Sequence, residues 1–115
     1  MEPIYEIKEN TLIVSLCGEI DHHVAGKIRE DIDGEMKLYK AENLIMNFAD
    51  VTFMDSSGVG MVLGRHKKIK EMGGKLTICG CDRYVKRILY MSGVFTLIGY
   101  AENPEAALKG GILNE

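Results

Sequence analysis

The run Asn43-Leu44-Ile45-Met46-Asn47-Phe48 constrains this chain more than any other feature. It is almost continuously apolar and only a few residues long, the pattern of a central strand buried on both faces of a sheet. Such a strand needs cover, and the flanking segments offer it with helical periodicity. Val24, Ile28, Ile32 and Met36 recur every four residues, one face of a helix entered through Gly18-Glu19-Ile20-Asp21. Asp21 is the expected N-cap of that helix. After a loop containing Asp50 and Asp55, a second helix is expected from Ser56 or Ser57 to Met72. Val59, Val62, Leu63, His66 and Ile69 share its inner face, and Gly73-Gly74 closes it.

The rest of the chain continues the alternation. Ile4–Ile7 and Thr11–Cys17 read as two strands joined by a hairpin turn at Lys8-Glu9-Asn10. Lys75–Cys79 is a further strand. Asp82 caps a third helix carrying Val85, Ile88 and Leu89, which Gly93 ends. Phe95–Ile98 is expected to be the last strand, and Asn103-Pro104-Glu105 opens a short terminal helix with proline at its first position. The predicted order is β-β-α-β-α-β-α-β-α. Strands alternating with helices imply parallel crossovers, so the expected fold is α/β with a mixed sheet and one antiparallel edge. No linker, repeat or low-complexity tract interrupts it, so residues 1–115 are expected to form a single domain.

Composition narrows the function classes. Apolar residues at 46% and charged residues at 27% fit a globular chain with a real core. A formal net charge of -3 gives no general affinity for nucleic acid or an anionic membrane. No apolar run approaches the ~20 residues that span a bilayer. Met1–Asn10 lacks the apolar stretch of a signal peptide, which makes the cytoplasm the expected compartment. Cys17, Cys79 and Cys81 are an odd set without zinc-type spacing, so they read as reduced cysteines used as small apolar residues.

The chemistry concentrates in Phe53-Met54-Asp55-Ser56-Ser57-Gly58-Val59-Gly60. Here a buried strand gives way to a helix, the place in an α/β sheet where ligands and partners dock. Ser56 or Ser57 can cap the helix with its hydroxyl. Gly58 and Gly60 strip bulk from the first turn, so another backbone can approach the serines. Met54 and Met61 suit either an adaptable docking surface or the core. On the residues alone two readings stay open. Serine, aspartate and glycine are ordinary capping residues. A phosphate here, bringing roughly -1.5 to -2 charges, is tolerated by a helix N-terminus yet opposed by Asp55 and by any partner carboxylate.

This segment resembles the phosphorylation motif of the STAS-domain anti-sigma-factor antagonists. Gly18-Glu19-Ile20-Asp21-His22-His23 is similar to the family's second signature, at the entrance to the first helix. Leu63–Lys70, Val85–Ile88 and Met91–Phe95 align as well, so the resemblance covers essentially the whole chain. The Asp-His-His form is closer to the sporulation antagonists of the anti-sigma-F factor than to the general-stress antagonists, which stay the alternative within the family.

The resemblance implies an anti-anti-sigma factor that works by partner switching. The unmodified chain would bind an anti-sigma factor that is also an ATP-dependent serine kinase, releasing its sigma factor. Phosphorylation of Ser56 would end that complex, and a PP2C-type phosphatase would reverse it. Asp21, Asp55, Ser57, Gly58, Val59 and Gly60 would surround Ser56 as the contact surface, with Asp21 facing a basic residue of the kinase. The chain itself is then expected to be no enzyme, to need no cofactor or metal, and to be a monomer when free.

Other readings are weaker. Gly58-x-Gly60-x-x-x-Gly64 misses the dinucleotide fingerprint by one residue and lacks a P-loop ending, so a small nucleotide-binding enzyme using the Ser56–Gly60 loop is the alternative rather than the expectation. Asp21, His22, His23 and His66 offer no helical metal-ligand pair, since adjacent histidines on a helix diverge. A triad of Ser56, His22 and Asp55 lacks a nucleophile elbow. Lys67, Lys68, Lys70 and Lys75, and separately Arg83, Lys86 and Arg87, read as solvated faces, with no direct nucleic-acid partner expected. A STAS scaffold subunit that is never phosphorylated is the remaining possibility.

Overall fold

The computed structural model describes residues 2–113. β1 (Ile4–Lys8) and β2 (Thr11–Ile20) form the expected antiparallel hairpin, turning through Glu9 at φ 55°. α1 (Ala25–Leu38) leads to β3 (Asn43–Met54), and α2 (Ser56–Glu71) leads to β4 (Leu76–Cys79). α3 (Arg83–Met91) and a 3₁₀ turn (Val94–Thr96) lead to β5 (Gly99–Ala101), followed by α4 (Pro104–Leu108) and β6 (Ile112–Leu113). Among the described residues the six strands lie side by side in chain order. β2 to β5 run parallel, and each outer pair is antiparallel.

Parallel neighbours taken in order, joined by right-handed crossovers, place all three connecting helices on one face. The packing agrees. Leu12, Val14 and Leu16 of β2, Leu44, Met46 and Phe48 of β3, and Ile78 of β4 share one core with Ile28 and Ile32 of α1, Val62 of α2 and Leu89 of α3. Each of these side chains, once buried, contributes about 1.5–3 kcal/mol. The opposite face is thinner, with Ile13, Ile45, Cys79 and Ala101 packed beneath Ala106 and Ala107 of α4. The β3 run is covered on both sides, but unequally.

Local signals hold where they rest on neighbouring residues. Asp82 accepts from the Val85 N–H at 2.8 Å, and Asn103 caps α4 with Pro104 behind it. Gly73, at φ 85°, ends α2 with the Gly74 N–H returned to the Ile69 carbonyl, a close that needs left-handed backbone.

Several expectations are corrected. β3 runs on to Met54 through the predicted loop at Asp50, because β2 also continues to Ile20 and pairs with it beyond two register shifts. The regular part of α1 starts at Ala25, after an exposed Val24, so Asp21 caps the turn that leads into the helix rather than the helix itself: its carbonyl accepts the Ala25 N–H at 2.9 Å and its Oδ1 the His23 N–H at 2.9 Å. Phe95–Ile98 is not a strand: Val94–Thr96 forms a 3₁₀ turn, the Thr96 hydroxyl donating to the Gly93 carbonyl at 2.7 Å, and the strand begins at Gly99. On α2 the inner face buries Arg65, with His66 only half-buried. β6 was carried by no sequence signal. The three cysteines are free, Cys79 fully buried and the other two half-buried.

Candidate functional site

Register builds the site. Ile20 at the end of β2 pairs with Met54 at the end of β3, so Asp21 and Asp55 leave neighbouring strands side by side. Asp55 is the N-cap of α2 rather than either serine, its Oδ1 accepting from the Ser57 N–H at 2.8 Å and the Gly58 N–H at 3.2 Å. Its Oδ2 accepts the His22 N–H at 3.2 Å, tying the entrance of α1 to that of α2. The cap frees the serines. Ser56 is the first residue of α2 and is exposed, while Ser57 is half-buried.

The predicted surface is therefore narrower than the motif. Gly58 and Val59 are buried and turn inward. A Cβ on Gly58 would lie 2.8 Å from the Ile20 carbonyl oxygen, so its lack of bulk serves packing of α2 on β2, not the approach of a partner. Gly60 is exposed and faces open space. Met54 and Met61 are 2% and 5% exposed, which makes them core residues and removes them from any docking surface. Asp21, Asp55, Ser56, Ser57 and Gly60 remain accessible at least in part.

Asp21 organises the other half of the site. Its Oδ1 accepts the His23 N–H at 2.9 Å, and the His23 ring lies 3.6 Å from its Oδ2. Desolvation raises its pKa, but hydrogen bonds from the His23 backbone and ring and from Val24 outweigh that and hold the carboxyl below the ordinary aspartate value. The turn replaces the expected start of a helix, so His22 and His23 do not diverge: their rings sit 4.0 Å apart. Between the N-terminal halves of α1 and α2 a groove of about 440 Å³ opens, with His22, Arg29, Ser57 and Gly60 on its walls. Arg29 was not singled out by the sequence. Its position one turn beyond Ala25 was the available signal.

The competing chemistries lose their geometry. The Ser56–Gly60 segment is the first turn of a helix rather than a phosphate-cradling loop. His22 and Asp55 do meet, Nδ1 to Oδ2 at 3.9 Å, but among the described residues no hydrogen bond joins Ser56 to His22. No cluster of three metal-ligating side chains occurs among the described residues. No described helix is long and apolar enough to cross a membrane.

Comparison with known proteins gives a consistent result. A family model for the STAS domain matches residues 2–107. The chain is 37% identical over 103 residues to the anti-sigma F factor antagonist of Paenibacillus polymyxa, covering 90% of this chain and 88% of that one. It is 28% identical over 101 residues to the anti-sigma-B factor antagonist of Bacillus subtilis (strain 168), covering 88% and 91%. Among solved structures it is similar to the Bacillus cell fate determinant SpoIIAA in its phosphorylated form, with a TM-score of 0.74, 29% identity, and 95% and 98% of the two chains covered.

Proposed function

This chain belongs to the STAS-domain family, and from that premise we propose that it is an anti-sigma factor antagonist switched by phosphorylation of Ser56. The observation that carries the reading is the exposed Ser56 hydroxyl at the first turn of α2, beside a cap made by Asp55 alone. Because neither serine hydroxyl is needed for the cap, Ser56 can be modified without unfolding the helix. The partner is an anti-sigma factor that is also an ATP-dependent serine kinase, and a PP2C-type phosphatase restores the free hydroxyl. ATP and the catalytic groups belong to the kinase, so this chain is its substrate and ligand, acting in the cytoplasm.

The switch is electrostatic. Phosphoserine adds roughly -1.5 to -2 charges at neutral pH. Inside the domain the N-terminus of α2 offsets that charge. At the surface the phosphate stands beside Asp55 and Asp21, both about 30% exposed, and it breaks the complex by repelling any partner carboxylate docked over Ser56 and by the cost of desolvating a doubly charged group in a packed interface. Asp21 pairs with a basic residue of the partner in this scheme. Higher identity to the anti-sigma F than to the anti-sigma-B antagonist supports the sporulation pathway over general stress. SpoIIAA, solved in a phosphorylated form, supports a modified state compatible with this fold.

The test is mass spectrometry of the chain after incubation with its cognate kinase and ATP. One added phosphate mapped to Ser56 is expected. Modification at Ser57 or elsewhere, or none with a kinase shown to be active, overturns the reading.

A further inference from the structure

Over its nine residues α3 carries no carboxylate, although the chain as a whole has a net charge of -3. Arg83, Arg87 and Tyr90 follow one another at helical spacing on its outer face, with Tyr84 and Met91 beside them. All five are exposed, Tyr84 at 51%, Tyr90 at 61% and Met91 at 72%. Among the described residues neither guanidinium has a partner, whereas Lys86 lies over the Tyr100 ring at 4.3 Å. Arg83, Tyr84, Arg87 and Tyr90 line a broad surface depression of about 860 Å³. Asp82 at its edge is already engaged as the helix cap.

A merely solvated helix face mixes its charges and exposes few large apolar groups. Tyrosine, methionine and arginine are instead the residues enriched where proteins meet. The face is also continuous with the Ser56 site. β3 and β4 run parallel, so α2 and α3 both start from the same edge of the sheet. There the half-buried Phe53, two residues before Asp55, stacks on Tyr84 with ring centroids 6.4 Å apart. The joint surface has two poles. Asp21 and Asp55 stand at one end and Arg83 and Arg87 at the other, with the aromatic pair between them.

We propose that this face of α3 is a second part of the docking surface, and that it takes an acidic segment of the same protein that covers Ser56. The inference rests on the reading of Ser56 as the switched contact. Carboxylates of the partner pair with the Arg83 and Arg87 guanidinium groups, whose planar forks suit them. Tyr84, Tyr90 and Met91 bury the apolar area around those pairs. A partner that meets both poles brings basic residues to Asp21 and Asp55 and acidic ones to α3, so charge allows it one orientation over Ser56. Nucleic acid fits the surface less well. The basic pole reaches few phosphates, and the carboxylates at the other pole repel a strand that runs on.

The full chain and its variants are titrated into the cognate kinase by calorimetry. R83E/R87E is expected to bind at least about tenfold more weakly than wild type, and Y90A to be weakened in the same direction. Both arginines and Tyr90 are exposed, so these variants keep the core, and Y90A carries the test if the double variant does not fold. K67E/K70E makes the same change of charge at exposed lysines of α2 and is expected to bind like wild type. Wild-type affinity in R83E/R87E and Y90A, with S56D weakened, would overturn this inference and leave the Ser56 switch standing. An equal loss in K67E/K70E would overturn it as well, because total charge would then explain both. A kinase that does not bind the wild-type chain at all would overturn the inference together with the reading it rests on. Tighter binding of a single-stranded oligothymidylate than of the kinase, lost in R83E/R87E, would overturn it in favour of nucleic acid.

Discussion

The Asp55 carboxylate accepts the backbone N–H of His22 at 3.2 Å, across 33 residues of chain. The same side chain caps α2 through Ser57 and Gly58, so one carboxylate holds both helix entrances in place. Removing it in Asp55→Ala leaves three N–H groups without that acceptor. A lost cap alone costs about 0.5–2 kcal/mol. Urea denaturation is expected to show a loss at the upper end of that range, with Asp55→Asn closer to wild type because it keeps an acceptor oxygen. A loss no larger in the alanine than in the asparagine variant would mean that the carboxylate is not the tie.

Gly58 tests a tighter constraint. A methyl there meets the Ile20 carbonyl oxygen at 2.8 Å and the Met54 Cε at 2.9 Å. The methionine end can swing aside, but the carbonyl belongs to β2. Gly58→Ala is therefore expected to lose about 1–3 kcal/mol by overpacking, against the ~1 kcal/mol that alanine gains in helix propensity. Gly60 faces open space, and Gly60→Ala is expected to gain up to ~1 kcal/mol. Thermal unfolding of the two variants side by side decides the matter, and equal midpoints would contradict it.

Charge at position 56 is the test of switching itself. Ser56→Asp is expected to fold like wild type and to bind the cognate kinase at least about tenfold more weakly, a difference of ~1.4 kcal/mol. Ser56→Ala should bind and stay bound in the presence of ATP. Calorimetry that finds wild type and the aspartate variant equal would leave no role for a phosphate.

Alkaline pH has a predictable sign. Desolvation by burial is the main reason that the Cys79 and Cys81 thiols rise from 9.0 to about 12 and the Tyr5 phenol from 10.0 to about 12. Their folded values lie above the unfolded ones, so the stability they contribute is complete below the unfolded values. It is lost as pH climbs from about 9 toward about 12, where the unfolded chain gives up protons first. Denaturation midpoints measured at intervals through that range should fall steadily. A flat profile would show that these groups are solvated in the folded protein.

Much of this could be read from the chain because it depends on near neighbours. The caps at Asp82 and Asn103, the left-handed close at Gly73 and the β1–β2 turn are set by a few adjacent residues. The buried faces at Ile28, Ile32 and Met36 follow from spacing alone. The site was harder. Asp55, Ser56 and Ser57 all have capping chemistry, and no local rule ranks them. Arg65 hides in the series Met61, Arg65, Ile69, where an i, i+4, i+8 spacing would have marked it as inward-facing.

Periodicity along the chain was enough to order most of the strands and helices and to put Ser56 at a strand-to-helix junction. Three outcomes emerged only on folding: which aspartate caps α2, which glycine is a packing requirement, and that Met54 and Met61 belong to the core. They follow from the extended pairing of β2 with β3, which sets Ile20 against Met54 and carries Asp21 beside Asp55. Pairing between segments more than thirty residues apart is a balance of backbone hydrogen bonds and packing summed over both strands, and no single stretch of the chain contains that sum.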